Sequence, residues 1–96
     1  MKRTIKEDVV RRELKKRVES YGGEIRAVAW LGRKHAPDVL VLMKPPAAWH
    51  TFVETKRPRK GATEAQAREH ERMREAGCNV LVITTLEELN AWLPPR

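Results

Sequence analysis

The run Asp38-Val-Leu-Val-Leu-Met43 is apolar almost without interruption. That is the pattern of a strand buried on both faces, and such a strand needs a sheet covered by other layers. Lys44-Pro45-Pro46 breaks it. Three more segments read as strands around it. Glu24–Leu31 alternates and carries Ile25, Val28 and Trp30. His50–Lys56 has Phe52 and Val53 in its middle, and Asn79–Thr84 is apolar. A first helix is expected over Ile5–Tyr21. Thr4 and Glu7 fit a capping box at its start, and Gly22-Gly23 stops it. Val10, Leu14, Val18 and Tyr21 share one face of that helix, and Glu7 falls on the same face. A second helix is expected over Glu64–Ala76, between Thr63 and Gly77, with Gln66 able to complete a capping box. A third is expected over Leu86–Leu93, after Thr85 and before Pro94-Pro95. The order α-β-β-β-α-β-α predicts an α/β fold, a small mixed sheet flanked by helices.

At 96 residues the chain has room for one domain, expected over residues 1–96. Twenty Lys and Arg against 13 Asp and Glu give a net charge of +7. A pI near 10.1 makes nucleic acid or another polyanion a natural partner. One cysteine, Cys78, excludes an internal disulfide, and with His35, His50 and His70 it lacks zinc-finger spacing. No apolar run reaches membrane-span length, and no apolar stretch follows Met1-Lys2-Arg3-Thr4. A cytoplasmic protein without membrane contact is expected.

The chemistry concentrates at Pro37-Asp38 and Glu54-Thr55-Lys56. Strand alternation puts Glu54 and Lys56 on one face, and hairpin pairing brings Asp38 toward Glu54. Two carboxylates make an oxygen-rich site for a hard cation such as Mg²⁺. Lys56 adds a charge able to orient a water or stabilise a pentavalent phosphate. By itself Glu-x-Lys is common as a solvated surface pair. Here the Asp follows a Pro and heads an apolar strand, the Glu-x-Lys closes another, and a basic loop follows at once.

Asp38 followed by Glu54-x-Lys56 resembles the PD-(D/E)xK nuclease pattern. The whole chain, roughly residues 4–93, resembles a stand-alone VRR-NUC domain, the virus-type replication-repair nuclease, with its restriction-endonuclease-like core. The matching stretches are Glu7-x-x-Val10-x-x-x-Leu14, Gly22-Gly23, Gly32-Arg33-x-x-x-Pro37-Asp38-x-Leu40-Val41, Phe52-Val53-Glu54-x-Lys56, Gln66 and Ala76-Gly77-x-x-Val80. The resemblance implies that Asp38, Glu54 and the backbone carbonyl of Thr55 hold the metal, Mg²⁺ or Mn²⁺. It makes Lys56 the catalytic lysine, with Gln66 and Glu7 supporting the site. Products would carry 5′-phosphate and 3′-hydroxyl ends. Two departures stand out: His35 occupies a position where glycine is usual, and Thr55 one where a hydrophobic residue is usual.

Other residues have plainer alternatives. Glu7 also serves as a capping-box residue, and Glu13 is the other glutamate of that helix considered for the site. Gln66 also serves as a cap. His35 could touch a phosphate, and His70 lies one helical turn after Gln66. Arg33, Lys34, Arg57, Arg59 and Lys60 are expected along the DNA backbone. Arg11, Arg12, Lys15, Lys16 and Arg17 mainly occupy the solvent side of the first helix, where they could bind a second DNA arm or, the favoured reading, simply keep the domain soluble. Trp30, Trp49 and Trp92 read as packing residues, with Trp49, after Pro-Pro-Ala-Ala, at a dimer contact. The leading expectation is a metal-dependent endonuclease selecting DNA by shape, branched DNA such as Holliday junctions above all, and acting as a homodimer. Its alternatives are a flap, nick or duplex nuclease with the same site, and a non-catalytic nucleic-acid-binding module on the same fold.

Overall fold

The computed structural model describes residues 7–56 and 62–96, with side chains from Val9 onward in the first stretch. Its elements are α1 (Glu7–Ser20), β1 (Glu24–Ala27), β2 (Val39–Leu42), β3 (His50–Thr55), α2 (Glu64–Glu75), β4 (Val80–Ile83) and α3 (Leu86–Trp92). The expected order holds. The strands are shorter than the apolar segments that announced them, and β1 most of all. It stops at Ala27, although Val28 still donates to the Asp38 carbonyl at 2.9 Å.

The sheet order is β1-β2-β3-β4. The first three strands form an antiparallel meander, with Ile25 opposite Val41 and Val39 opposite Val53. α2 then crosses over and returns the chain as β4, parallel to β3, with Thr55 opposite Ile83. The mixed sheet follows from connection length. Short loops can join only antiparallel neighbours, whereas a parallel neighbour needs a helix-sized crossover.

Alternation sorts the side chains into two layers. Val39, Val41, Val53 and Ile83 are buried against Val10, Leu14 and Val18 of α1 and Leu89 of α3, together with Leu93 just beyond it. This is the core. On the other face lie Phe52 and Glu54, and α2 covers them with His70 and Met73 buried. β2 buries Val39 and Val41 in the core, whereas Leu40 and Leu42 on its other face are only half-buried, so the unbroken apolar run overstates its burial.

Gly22 ends α1 with a φ of 81°, the left-handed turn glycine accepts. Gly23 has a different task. A Cβ there would meet the Leu42 carbonyl oxygen at 2.7 Å and both Val18 Cγ1 and Met43 Sδ at 3.0 Å. The chain therefore turns from α1 into β1 hard against β2.

One expectation changes in this layer. Arg17 is not a solvated cation. It is buried and donates to Asn90 Oδ1 and the Leu93 carbonyl, both at 2.8 Å, tying α1 to α3. Trp49 packs within its own chain, its ring 5.7 Å from Trp92 and against the core. Trp30 packs on Phe52 at 5.3 Å.

Candidate active site

The register Val39 opposite Val53 makes Asp38 and Glu54 the next pair outward, at one end of the two central strands. Glu54 is 7% exposed. A buried carboxylate is costly unless polar or charged groups surround it, and among the described residues Gln66, Lys56 and His70 stand close. Gln66 Nε2 reaches Glu54 Oε2 at 3.4 Å, Lys56 Nζ stands 3.9 Å from the same oxygen, and His70 Nε2 stands 3.8 Å from Oε1. Glu54 and Lys56 are two apart on β3, and Gln66 and His70 are one turn apart on α2, so two periodicities converge on one carboxylate.

Gln66 serves both roles weighed for it. Its Oε1 accepts from the Thr63 amide at 3.0 Å while its own amide donates to Thr63 Oγ1 at 3.1 Å, a complete capping box. That fixes the side chain and leaves its Nε2 pointing to Glu54.

Asp38 is more open. Its Oδ1 accepts from Arg11 Nη2 at 3.1 Å, and the same nitrogen lies 3.4 Å from Thr55 Oγ1. Arg11, read as a solvated cation, thus spans the end of the sheet. Glu7 opens α1 four residues earlier, and its side chain lies outside the described residues. Glu13 pairs with Arg17 at 3.7 Å and lines a hollow with Lys16, Pro95 and Arg96.

The loop leading to Asp38 is held in place. Trp30 Nε1 donates to the Pro37 carbonyl. Arg33 clasps the buried Glu69 of α2 with two guanidinium nitrogens, and Arg72 joins at 2.6 Å. The Arg33 hydrogen bond, followed by that of Arg72, holds the Glu69 carboxyl below its ordinary value. Arg33 thus acts as a fastener between loop and helix, and Lys34 beside it is exposed. His35 adopts a φ of 69°. This is a glycine-like conformation at the position where the resembling family uses glycine, so the loop takes the turn without one.

The donor set suits a hard divalent cation. Asp38 and Glu54 offer carboxylate oxygens on neighbouring strands. Among the described residues no three His, Cys, Asp or Glu side chains converge. The backbone of Thr55 follows Glu54 on the strand. Burial, more than any neighbouring charge, holds His70 below its ordinary value, with Arg74 next in size, Glu69 opposing and Lys56 adding to it. His70 is the residue whose surroundings the sequence hid, since spacing put it near Gln66 but gave no sign that it is 1% exposed. Arg57, Arg59 and Lys60 lie outside the described residues. No helix among the described residues is long and apolar enough to cross a membrane.

No family model matches the chain. A curated relative, "Putative nuclease p44" of Acyrthosiphon pisum secondary endosymbiont phage 1, is 35% identical over 92 residues, 96% of each chain. A solved structure described as "VRR_NUC domain" superposes with a TM-score of 0.77 at 36% identity, over 88% of this chain and 90% of that one. With a shared fold and more than a third of residues identical across nearly the whole length, the chain belongs to the VRR_NUC family of nucleases.

Proposed function

We propose that the protein is a divalent-metal-dependent DNA endonuclease acting as a homodimer on branched DNA such as Holliday junctions. The observation that carries this reading is the Glu54 carboxylate, buried, opposite Asp38 in register and flanked by Lys56 and Gln66. Asp38, Glu54 and the Thr55 carbonyl would hold Mg²⁺ or Mn²⁺. When bound, the cation supplies charge neutralisation at the scissile phosphodiester.

The remaining work belongs to the chain. Lys56, about one-fifth exposed beside Glu54, presents its ammonium where negative charge grows on the phosphoryl oxygens, and it orients the attacking water. Gln66 fixes Glu54 through an amide already locked by its cap. Glu7 supports the site from the start of α1. Lys34, Arg57, Arg59 and Lys60 flank the site in sequence and take the phosphates on either side, with Arg33 able to contribute from its place on Glu69. A groove of about 360 Å³ extends this track, rimmed by Arg11, Arg12, Lys15 and Arg26 over Ile25, Ala27 and Val39. Arg11 joins it to Asp38.

Each domain has one site, and a symmetric junction must be cut on two strands. A two-fold homodimer presents two sites in matching positions. The test is cleavage of an end-labelled four-way junction beside a flap and a linear duplex, in Mg²⁺, Mn²⁺ or EDTA. The expected result is paired, metal-dependent cuts near the crossover, slowed on the order of 10²–10³-fold or more by Lys56→Ala. Equal cutting of all three substrates, or a monomeric mass at micromolar concentration, would remove the junction reading and leave a general nuclease. Binding without cutting in every metal would remove the enzyme.

A further inference from the structure

His70 is a buried titratable group that this mechanism leaves unused. It belongs to α2, is 1% exposed, and its Nε2 has no hydrogen-bond partner among the described residues. Leaving a buried polar nitrogen unsatisfied is unfavourable, and a histidine that merely filled space could be replaced by an apolar side chain at a gain. The nitrogen is not aimed at random, because the nearest carboxylate oxygen is Glu54 Oε1, 3.8 Å away.

The two oxygens of Glu54 have different surroundings. Oε1 is sealed from solvent, whereas Oε2 lies on the side of Gln66 and Lys56. The cation is assigned to Oε2, and a donor on Oε1 adds to Gln66 in keeping the carboxylate from rotating. At 3.8 Å the His70 contact is about 1 Å too long for a hydrogen bond. Contacts of this kind are often long in the free enzyme and tighten in the loaded complex.

We infer that His70 is a positioning residue, which donates from Nε2 to Glu54 Oε1 and so keeps Oε2 turned toward the cation. The inference rests on the metal site proposed above. It adds a member of that site that acts through Glu54 without touching metal or DNA. Partners of this kind typically contribute 10–100-fold in metal affinity.

The test reads metal binding directly, on the DNA-free protein, by Mn²⁺ titration followed by electron paramagnetic resonance. Its variants are His70→Leu, which fills the space without a donor, His70→Gln, which keeps one within reach, and His70→Asn, which keeps one too short to reach. Folding is monitored by circular dichroism. The expected result is Mn²⁺ affinity weakened about 10–100-fold in His70→Leu and His70→Asn, largely recovered in His70→Gln, with duplex DNA affinity in EDTA unchanged. If His70→Leu does not fold, the comparison of Gln with Asn carries the test. Folded variants that all bind Mn²⁺ as the wild type does would overturn the role of His70 alone. A wild type that takes up no Mn²⁺ would overturn the metal site itself.

Discussion

Gly22 and Gly23 stand side by side and do different things. Gly22 supplies a left-handed turn with open space where a Cβ would sit. Gly23 leaves room for a backbone carbonyl and two side chains. The Leu42 carbonyl is part of the sheet and cannot yield cheaply, so Gly23→Ala should destabilise by about 1–3 kcal/mol through overpacking. Chemical denaturation of that variant beside the wild type measures it, and an unchanged midpoint would contradict the close packing. In the sequence the pair reads only as a helix stop. Periodicity reports which way a residue faces but not how near the next strand comes. The same limit explains Arg11 and Arg17. Both sit on a helix rich in cations, yet one bonds Asp38 and the other is buried on α3. The placement of Asp38 opposite Glu54, with Lys56 beside it, is legible because strand alternation and hairpin register are local rules. His70 was legible in position and not in burial, because its burial depends on how α2 lies across the sheet.

At the scale of elements, the fastening of the 31–37 loop to α2 sets how Asp38 is presented. Arg33 and Arg72 both bond Glu69, whose ionised form is favoured in the fold. The sign follows from linkage. Glu69 has a lowered value when folded, so its contribution is present above the ordinary carboxyl value of 4.5 and is lost as pH falls below it. Acid unfolding of the wild type should therefore include a component below about pH 4.5 that Arg33→Gln reduces. Stability measured from pH 7 to pH 3 for both proteins checks this, and identical pH profiles would show that the clasp contributes nothing. Element order and type were readable from the sequence, whereas boundaries moved inward. Apolar residues continue past the end of β1, as Val28 to Trp30 do in the loop that packs Trp30 on Phe52.

For the whole molecule, charge is the dominant property. A net charge of +7 on 96 residues favours any polyanion, so affinity alone says little about selectivity. The α1–β1 groove offers a sharper measurement. Arg12 and Lys15 line it. If each meets one phosphate, Arg12→Gln with Lys15→Gln should lower the slope of log affinity against log salt by about 2 for duplex DNA. Cutting chemistry at saturating DNA should stay unchanged. An unchanged slope would place the DNA elsewhere. Composition foretold the partner class but not this path, because linear sequence does not show that Arg26 of β1 comes to share a rim with α1.

The helix α1 also gives the molecule two poles. Its Arg11 stands at the carboxylates, while Tyr21, just past its last turn, bonds the Pro94 carbonyl. Ten residues of helical rise separate them, about 15 Å. Pro94 is therefore held at the pole remote from Asp38. A fluorophore or surface tether joined at that pole would leave the Asp38 end facing outward, so single molecules could be watched on immobilised protein with DNA approaching from the free side.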